Sequence, residues 1–256
     1  MDPVAISASD RVFVLTGAGI SAESGLPTFR ASDGLWAGHR VEEVCTPEAL
    51  ENNPALVWEF YSQRRAQGAD AKPNPAHRAL AELEAQIGDR FFLCTQNVDD
   101  LHERAGSQRL VHMHGELAKS RCEAECGRPP VEDRAVYRSL VEVAHCPCGA
   151  RLRPHIVFFG EIPLEMDRIQ RKLDDCSLMV VIGTSGSVYP AANFVNWARH
   201  AGARTIYVGP ERPLNAAVFT YIAEGKAGEV LPGLLQVESA RAASKNSGPK
   251  SLPANR

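Results

Sequence analysis

The chain has 256 residues, of which 44% are hydrophobic and 23% charged, and its formal net charge is −3. These values suit an ordinary globular protein and give no electrostatic reason to expect nucleic acid or a membrane surface as partner. No apolar run approaches the roughly 18 residues of a membrane-spanning helix. The N-terminus, MDPVAISASD, lacks the basic start and apolar core of a secretory signal. We therefore expect a cytoplasmic protein.

Short apolar runs predict the strands of one buried sheet. They are residues 11–16 (RVFVLT), 90–95 (RFFLCT), 178–183 (LMVVIG) and, more briefly, 205–208 (TIYV). Because these runs are continuous rather than alternating, they favour a parallel sheet covered on both faces. A helical pattern lies between them, beginning with Asn74 as cap and Pro75 as first residue and ending at Gly88. The alternation predicts an α/β fold with a Rossmann-like sheet.

Two insertions interrupt this pattern and predict a second, smaller domain. Residues 31–72 contain the helical stretches TPEALEN and NPALVWEFYSQRRAQ, and residues 118–153 are polar and carry two cysteine pairs. We predict a large domain from residues 1–30, 73–117 and 154–238, and a small domain from the two insertions. The Ser-, Pro- and Lys-containing residues 239–256 predict a disordered tail.

The turn after the first strand reads GAGISA, which fits the G-x-G-x-x-G/A pattern of dinucleotide-binding loops. Glycines at Gly17 and Gly19 would let backbone N–H groups approach a pyrophosphate, although a plain tight turn explains the motif equally well. The acidic ribose ligand expected about 20 residues later is missing, which disfavours an ordinary dehydrogenase. Gly25 and Pro27 also end the following helix early.

Two further loops predict a ligand site at the carboxyl ends of the strands. TQNVDDLH follows the second strand with Gln96, Asn97 and Asp99, and GTSGSVYP follows the third. Amide and carboxylate groups at that edge could hold an amide-bearing ring and ribose hydroxyls. The alternative for the first loop is an Asx-type cap of the next helix.

His112 and His114 lie two residues apart in HMHGE and would share one face of a strand. His114, which is nearer the glycine turn, could serve as a general base in the cleft. The alternative is a purely structural histidine.

Four of the seven cysteines form the close pairs Cys122/Cys126 and Cys146/Cys148, separated by 19 residues. Four such thiolates can close a tetrahedral structural zinc site, although the second pair is tighter than usual and His145 could replace a ligand. The alternative is two unmetallated thiol pairs, which would be open to oxidation. The odd total argues against a disulfide framework, and Cys45, Cys94 and Cys176 are predicted to be small buried hydrophobes.

Together these stretches resemble the sirtuin family, the NAD-dependent protein lysine deacylases, and among them the bacterial-like members of desuccinylase type. The matching segments are GAGISAESGLPTFR, TQNVDDLHERAG, HMHGEL with the following RC, RPHIVFFGE and GTSGSVYPAA. The resemblance implies a Rossmann-like NAD-binding domain with a smaller domain made of a helical insertion and a zinc-binding module. It implies NAD as a consumed co-substrate and one structural zinc per chain, held by the four paired cysteines.

The resemblance also implies roles for individual residues. His114 and Asn97 correspond to the catalytic residues, and Phe29 with Arg30 to a flap that shields the reacting ribose carbon. The NAD contacts implied by the resemblance are Gly17, Ala18, Gly19, Ala22, Phe29, Arg30, Trp36, Gln96, Asn97, Asp99, Gly183, Thr184, Ser185, Gly209, Glu211 and Ala227. Gly209 departs from the asparagine of many relatives and has no side chain to contact the adenosine ribose. Val157, Phe158, Phe159 and Gly160 correspond to the edge that binds substrate backbone.

Tyr61 and Arg64 stand three residues apart on one helix face, where a phenol and a guanidinium can bind a carboxylate. The alternative is an aromatic ring packed beneath a surface arginine, and the resemblance to desuccinylase-type members favours the carboxylate. It implies removal of succinyl, malonyl and acetyl groups from lysine side chains of proteins, yielding nicotinamide and O-acyl-ADP-ribose. We expect a monomer. Mono-ADP-ribosyl transfer and non-catalytic NAD sensing stay open as alternatives.

Overall fold

The computed structural model describes residues 2–28 and 35–238. The strands of this part are β1 Val4–Ile6, β2 Val12–Thr16, β3 Leu35–Trp36, β4 His39–Arg40, β5 Phe91–Thr95, β6 Leu110–His112, β7 Gly115–Cys122, β8 Val131–Glu132, β9 Leu152–Ile156, β10 Leu178–Ile182, β11 Arg204–Gly209, β12 Tyr221–Glu224 and β13 Leu235–Val237. The α-helices are α1 Val41–Val44, α2 Pro47–Asn52, α3 Pro54–Asp70, α4 Pro75–Ile87, α5 Leu101–Ala105, α6 Met166–Asp174, α7 Phe194–His200 and α8 Ala227–Leu234. The predicted flap residues Phe29 and Arg30 and the predicted tail, residues 239–256, lie outside the described residues.

The main sheet has six parallel strands in the order β12-β11-β10-β2-β5-β6. The four predicted strands are all present with ends within a residue of those expected, and the predicted Rossmann-like parallel sheet is confirmed. The sequence did not predict β6 and β12. Both are edge strands and only partly buried, so neither has a continuous apolar run.

Each face of the sheet carries its own apolar core because successive side chains of a strand point to opposite faces. In β2, Val12 and Val14 pack with α4 and α8 on one face. Phe13 and Leu15 pack with α6 and α7 on the other. All five residues of β2 are buried, which explains why its sequence is continuously apolar.

Local capping determines where α4 begins and ends, as the sequence predicted. The Asn74 side chain accepts a hydrogen bond from the Ala76 N–H at 2.9 Å, and Gly88 follows the last turn with a positive φ of 63°. Asn74 Nδ2 also donates to the Ile20 carbonyl at 2.7 Å. The helix cap therefore also holds the short 3-10 helix Ala18–Ser24 that follows β2.

The two insertions pack against each other beside the sheet. Helix α3, capped by Asn53, buries Phe60 and Tyr61 against residues from β9 and the loop after it. Arg65 of α3 pairs with Asp133 at 3.1 Å, and their side chains are only 2% and 8% exposed. Strands β7 and β9 run unbroken across the predicted boundaries at residues 117 and 153. The residue boundaries given above for the two domains stay a prediction.

No helix in residues 2–28 and 35–238 is both long and apolar enough to cross a membrane.

Candidate active site

A cavity of about 860 Å³ opens at the carboxyl ends of β2, β5 and β10 and extends to the helical insertion. This is the edge at which parallel α/β sheets bind ligands. Most of the predicted site residues line it: Gly17, Ala18, Gly19, Trp36, Arg64, Gln96, Asn97, Asp99, His114, Val157, Phe158, Phe159, Gly160, Gly183, Thr184, Ser185 and Glu211.

Within residues 2–28 and 35–238, four of the predicted NAD and substrate contacts are not among the residues that line this cavity: Ala22, Tyr61, Gly209 and Ala227. Gly209 ends β11, just before the lining residue Pro210. Ala227 is buried at the start of α8. The N–H of the next residue, Gly228, donates to Glu23 Oε1 at 2.8 Å. Ala227 therefore lies where α8 meets the 3-10 helix Ala18–Ser24.

Glycines allow the loops after β2 and β10 to touch. A Cβ on Gly19 would lie 2.7 Å from Gly183 Cα, and one on Gly17 would lie 2.9 Å from the Gly183 oxygen. Gly183 also has a positive φ of 62°, which side-chain-bearing residues rarely adopt. The Gly19 N–H donates to the Gly183 carbonyl at 2.9 Å. The G-x-G pattern is thus required for the packing of these two loops against each other.

A polar network connects the loop after β5 to the 3-10 helix. Asn97 Nδ2 donates to Ser21 Oγ, and Ser21 Oγ donates to Asp99 Oδ2, each at 3.0 Å. Asp99 Oδ1 accepts the Leu101 N–H at 3.2 Å, so the Asx-type cap weighed from the sequence also exists. Burial raises the pKa of Asp99, and the hydrogen bonds from Leu101 and Ser21 oppose that rise. Ser21 was missed, and its only sequence signal was its place in GISAES.

The two histidines do not share a strand face, and that prediction was wrong. His112 ends β6, whereas His114 lies in the turn before Gly115, whose φ of 86° redirects the chain into β7. His112 is buried: its Nε2 lies 2.7 Å from Glu103 Oε1, and its Nδ1 lies 2.8 Å from the Asn97 carbonyl oxygen. Burial alone would lower the pKa of His112, but the Glu103 carboxylate raises it overall.

His114 lines the cavity with one ring nitrogen already committed. Nδ1 lies 3.2 Å from the Gln96 carbonyl oxygen, which can only accept a hydrogen bond. Nδ1 therefore carries the proton, and Nε2 is the basic nitrogen of the ring. Burial lowers the pKa of His114 to about 4, so the ring is neutral at physiological pH. A neutral imidazole in this tautomer can take up a proton.

The predicted substrate edge follows β9 and is held by the protein's own contacts. The Val157 N–H donates to the His114 carbonyl at 2.9 Å, and the Phe159 N–H to the Cys45 carbonyl at 2.9 Å. The Phe158 N–H donates to Glu161 Oε2 at 2.7 Å. Phe158 is buried, while 44% of Phe159 is exposed. The edge is therefore positioned before any peptide binds.

Of the two residues predicted to bind a carboxylate, Arg64 lines the cavity and Tyr61 does not. Arg64 lines the cavity, and its Nε and Nη1 are buried without a hydrogen-bond partner in the part of the chain that the structure describes. Burial lowers the pKa of this guanidinium. Tyr61 is 0% exposed and donates its hydroxyl hydrogen to Cys45 Sγ at 3.2 Å. Cys45, buried as predicted, was not expected to line the cavity, which it does.

The four paired cysteines form one cluster away from the cavity lining. Their Sγ atoms all lie within 4.8 Å of one another, with Cys122–Cys148 and Cys126–Cys146 both at 3.5 Å. A tetrahedral zinc with bonds of about 2.3 Å separates its sulfur ligands by about 3.8 Å, whereas a disulfide measures about 2.05 Å. The thiols therefore fit a structural zinc. His145 does not belong to the cluster.

Comparison with known proteins gives a consistent result. Residues 17–190 match the model of the Sir2 family. NAD-dependent protein deacylases of Shewanella oneidensis and Caulobacter vibrioides are 50% and 52% identical to this chain over 230 residues. The matches cover 88% of this chain in both cases, and 92% and 95% of the relatives. A Sir2 homologue solved with NAD is 41% identical, with a TM-score of 0.80 and 88% of each chain covered.

Proposed function

This chain belongs to the Sir2 family, and from that premise we propose that it is an NAD-dependent enzyme that removes acyl groups from lysine side chains of proteins. The observation that carries the proposal is the position of His114: it lines the same cavity as the glycine loops, and its Nδ1 is hydrogen-bonded to the Gln96 carbonyl, which leaves Nε2 as the basic nitrogen. The family's relatives named above are NAD-dependent protein deacylases, which supports this activity.

The cavity residues fit NAD as a co-substrate. Gly17, Gly19 and Gly183 line the cavity and place no side chain in it, which leaves room for a phosphate-bearing ligand beside the two loops. The N–H groups of Gly17 and Gly19 already donate to the carbonyls of Ile182 and Gly183, so such a ligand would approach the rest of these loops. We assign the phosphates and one ribose to these loops and to Ser185. Gln96, Asn97 and Asp99 then face the nicotinamide end. NAD supplies the ribose carbon from which nicotinamide leaves and to which the acyl oxygen becomes attached.

We assign His114 the role of general base. Its Nε2 takes a proton from a ribose hydroxyl, which makes that oxygen a nucleophile toward the acyl carbon. The Gln96 carbonyl keeps the other ring nitrogen paired before and after this transfer. It therefore fixes the ring orientation and favours the charged ring that forms.

We assign Asn97 the role of orienting the reacting end of the co-substrate. Its backbone N–H donates to Thr95 Oγ1 at 3.0 Å, its carbonyl contacts His112 and its side chain contacts Ser21. The two backbone contacts fix the position of the residue, and the bond from Nδ2 to Ser21 restrains the rotation of its amide. A side chain fixed in this way can hold a ribose hydroxyl or a water molecule in place without further loss of entropy.

For the acyl group, we propose that acidic acyl chains, succinyl and malonyl, are removed as well as acetyl. Arg64 lines the cavity, and its buried Nε and Nη1 have no hydrogen-bond acceptor among the described residues. A carboxylate would supply the missing acceptor. A hydrogen bond between charged groups contributes about 1.5–3 kcal/mol, which corresponds to roughly a 10- to 100-fold preference. The substrate edge at Val157–Gly160 would receive the peptide backbone by strand addition.

The decisive experiment incubates the protein with NAD and peptides of one sequence that carry acetyl-, succinyl- or malonyl-lysine. Nicotinamide and O-acyl-ADP-ribose are measured by mass spectrometry. We expect both products from all three peptides. Intact peptides with no acyl-ADP-ribose would contradict the proposal. ADP-ribose attached to protein would indicate mono-ADP-ribosyl transfer instead, and unchanged NAD would indicate a sensing module.

Arg64→Met tests the acyl assignment. We expect kcat/KM for the succinyl peptide to fall about 10- to 100-fold, while that for the acetyl peptide changes less than about threefold. Arg199→Met is the matched control, because Arg199 is exposed at the end of α7 and does not line the cavity. Desuccinylation that survives in Arg64→Met with an unchanged KM would show that Arg64 does not bind the acyl carboxylate. The predicted monomer and cytoplasmic location belong to this proposal and are tested by light scattering and cell fractionation.

A further inference from the structure

Cys45 forms part of the cavity wall on the side of the helical insertion. It follows α1 directly, and only 4% of its surface is exposed. Its N–H donates to the Val41 carbonyl at 2.8 Å, and its carbonyl accepts the Phe159 N–H at 2.9 Å. Cys45 is therefore held from both sides, by its own helix and by the predicted substrate edge. These bonds fix its backbone, and the Tyr61 hydroxyl, which donates to Sγ at 3.2 Å, restrains its thiol.

The Tyr61 ring behind Cys45 is enclosed by aromatic rings. Its centroid lies 6.0 Å from that of Phe158 in a stacked arrangement, 6.0 Å from that of Trp36 and 5.1 Å from that of Phe60. This packing leaves the ring no space into which it could swing. The hydroxyl oxygen stays where it is, and its hydrogen is directed at Cys45 Sγ.

These contacts separate the roles of Tyr61 and Arg64. A phenol has one O–H to donate, and that of Tyr61 is already donated to sulfur. Arg64, one turn along the same helix, has two buried donors without an acceptor in the described part of the chain. An acidic acyl group in the cavity would therefore meet the guanidinium directly, with the thiol between it and the phenol.

We propose that Cys45 is a specificity-determining residue: its thiol covers the Tyr61 hydroxyl, and Arg64 alone recognises the carboxylate of an acidic acyl group. This inference rests on the proposed deacylase function and concerns its acyl site. According to this inference, Cys45 lowers the affinity for acidic acyl groups relative to acetyl, because it keeps the Tyr61 hydroxyl from the ligand. Sulfur is a weak hydrogen-bond acceptor, so a carboxylate oxygen would replace it readily if it could reach the phenol. Removing Sγ provides that access.

The test measures affinities for two peptides of one sequence, carrying succinyl-lysine or acetyl-lysine, by calorimetry without NAD. In the native background, Tyr61→Phe is expected to change the succinyl-to-acetyl affinity ratio less than about threefold, because the hydroxyl does not reach the ligand. Cys45→Ala is expected to raise the ratio about 10-fold, the size of one hydrogen bond to a charged group. Adding Tyr61→Phe to Cys45→Ala should abolish this gain. Cys45→Ser, which keeps an acceptor for the phenol, should resemble the native protein.

Two results would overturn the inference: a 10-fold lower ratio for Tyr61→Phe alone, or an unchanged ratio for Cys45→Ala. If Cys45→Ala does not fold, Tyr61→Phe in the native background still tests the inference. Direct recognition of the carboxylate by the phenol would lower the succinyl-to-acetyl affinity ratio of that variant. Binding needs no turnover. Failure of the proposed function would therefore be seen separately, as absence of nicotinamide release when NAD is added.

Discussion

Glu161→Gln is expected to destabilise the protein and to weaken peptide binding. The Glu161 carboxylate lies among three donors at the predicted substrate edge. Arg153 donates Nη1 and Nη2 at 2.7 and 3.2 Å, Arg121 donates Nη2 at 3.1 Å, and the Phe158 N–H donates at 2.7 Å. Gln carries no charge and offers one oxygen in place of two. The substitution therefore removes the partner of two guanidinium groups and loosens the edge.

The burial of the Glu161–Arg153 ion pair determines how much stability the substitution removes. The side chains of Glu161 and Arg153 are 20% and 7% exposed, so solvent screens their interaction only weakly. Removing one partner of a buried ion pair costs about 3–5 kcal/mol, and partial exposure places this pair at about 3 kcal/mol. For a chain of this size, about 3 kcal/mol corresponds to a fall in unfolding temperature of about 6–12 °C.

The assay is thermal unfolding at pH 7, together with KM values for peptide and for NAD. We expect the peptide KM to rise, because Phe158 loses part of its anchor, and the NAD KM to change less than about twofold. Glu229→Gln is the control: its pair with Lys226 spans 3.8 Å and is 70% and 64% exposed, so its loss should have little effect. A Glu161→Gln variant that unfolds at the native temperature would refute the reasoning.

The pH dependence provides a second check on Glu161. Burial alone would raise the pKa of this carboxyl, but hydrogen bonds from Arg153 and Phe158 and the nearby positive charges lower it below its usual value of 4.5. A lowered pKa contributes stability that is present above the unfolded pKa and is lost as the pH falls through the folded one. The difference between native protein and Glu161→Gln should therefore be constant at neutral pH and shrink below about pH 4.5.

Three further predictions concern the base, the zinc cluster and the buried histidine. His114→Gln should lower kcat at least about 100-fold with NAD affinity within about threefold, and a near-native kcat would exclude it as the base. Metal analysis of Cys148→Ser should show less zinc than the one atom per chain expected natively, with a lower unfolding temperature; a metal-free native protein would contradict the zinc site. Because the pKa of His112 is raised, the stability lost in Glu103→Gln should be greatest below about pH 6.5 and shrink as the pH rises through the folded pKa. A loss that grows with pH would disprove the His112–Glu103 pairing.

The sequence predicted those features that depend on a residue's immediate neighbours along the chain. The run VFVLT of β2 is apolar throughout because both faces of that strand are covered. Asn74 and Gly88 bound α4 because capping involves residues only two to four positions away. The glycine loop, the loop after β5 and the loop after β10 all reach one cavity because parallel strands end at the same edge.

Features that depend on distant contacts were mispredicted or missed. Spacing placed Tyr61 and Arg64 on one helix face but contained no information that Cys45, 16 residues earlier, would accept the Tyr61 hydroxyl. Alternation placed His112 and His114 together, whereas the turn at Gly115 separates them. Ser21 joins Asn97 across 76 positions, and no local pattern indicates such a bond. The flap formed by Phe29 and Arg30 stays a prediction.

Short motifs and local periodicity were enough to predict the parallel sheet, the edge where its loops converge, the four-thiol cluster and the family. Three features could be read only from contacts in the folded chain: which nitrogen of His114 is basic, the pairing of His112 with Glu103, and the fact that Arg64 lines the cavity while Tyr61 does not. These features escape sequence reasoning because protonation and hydrogen bonding depend on the nearest atoms in space. In a packed core those atoms come from segments that are remote in the chain.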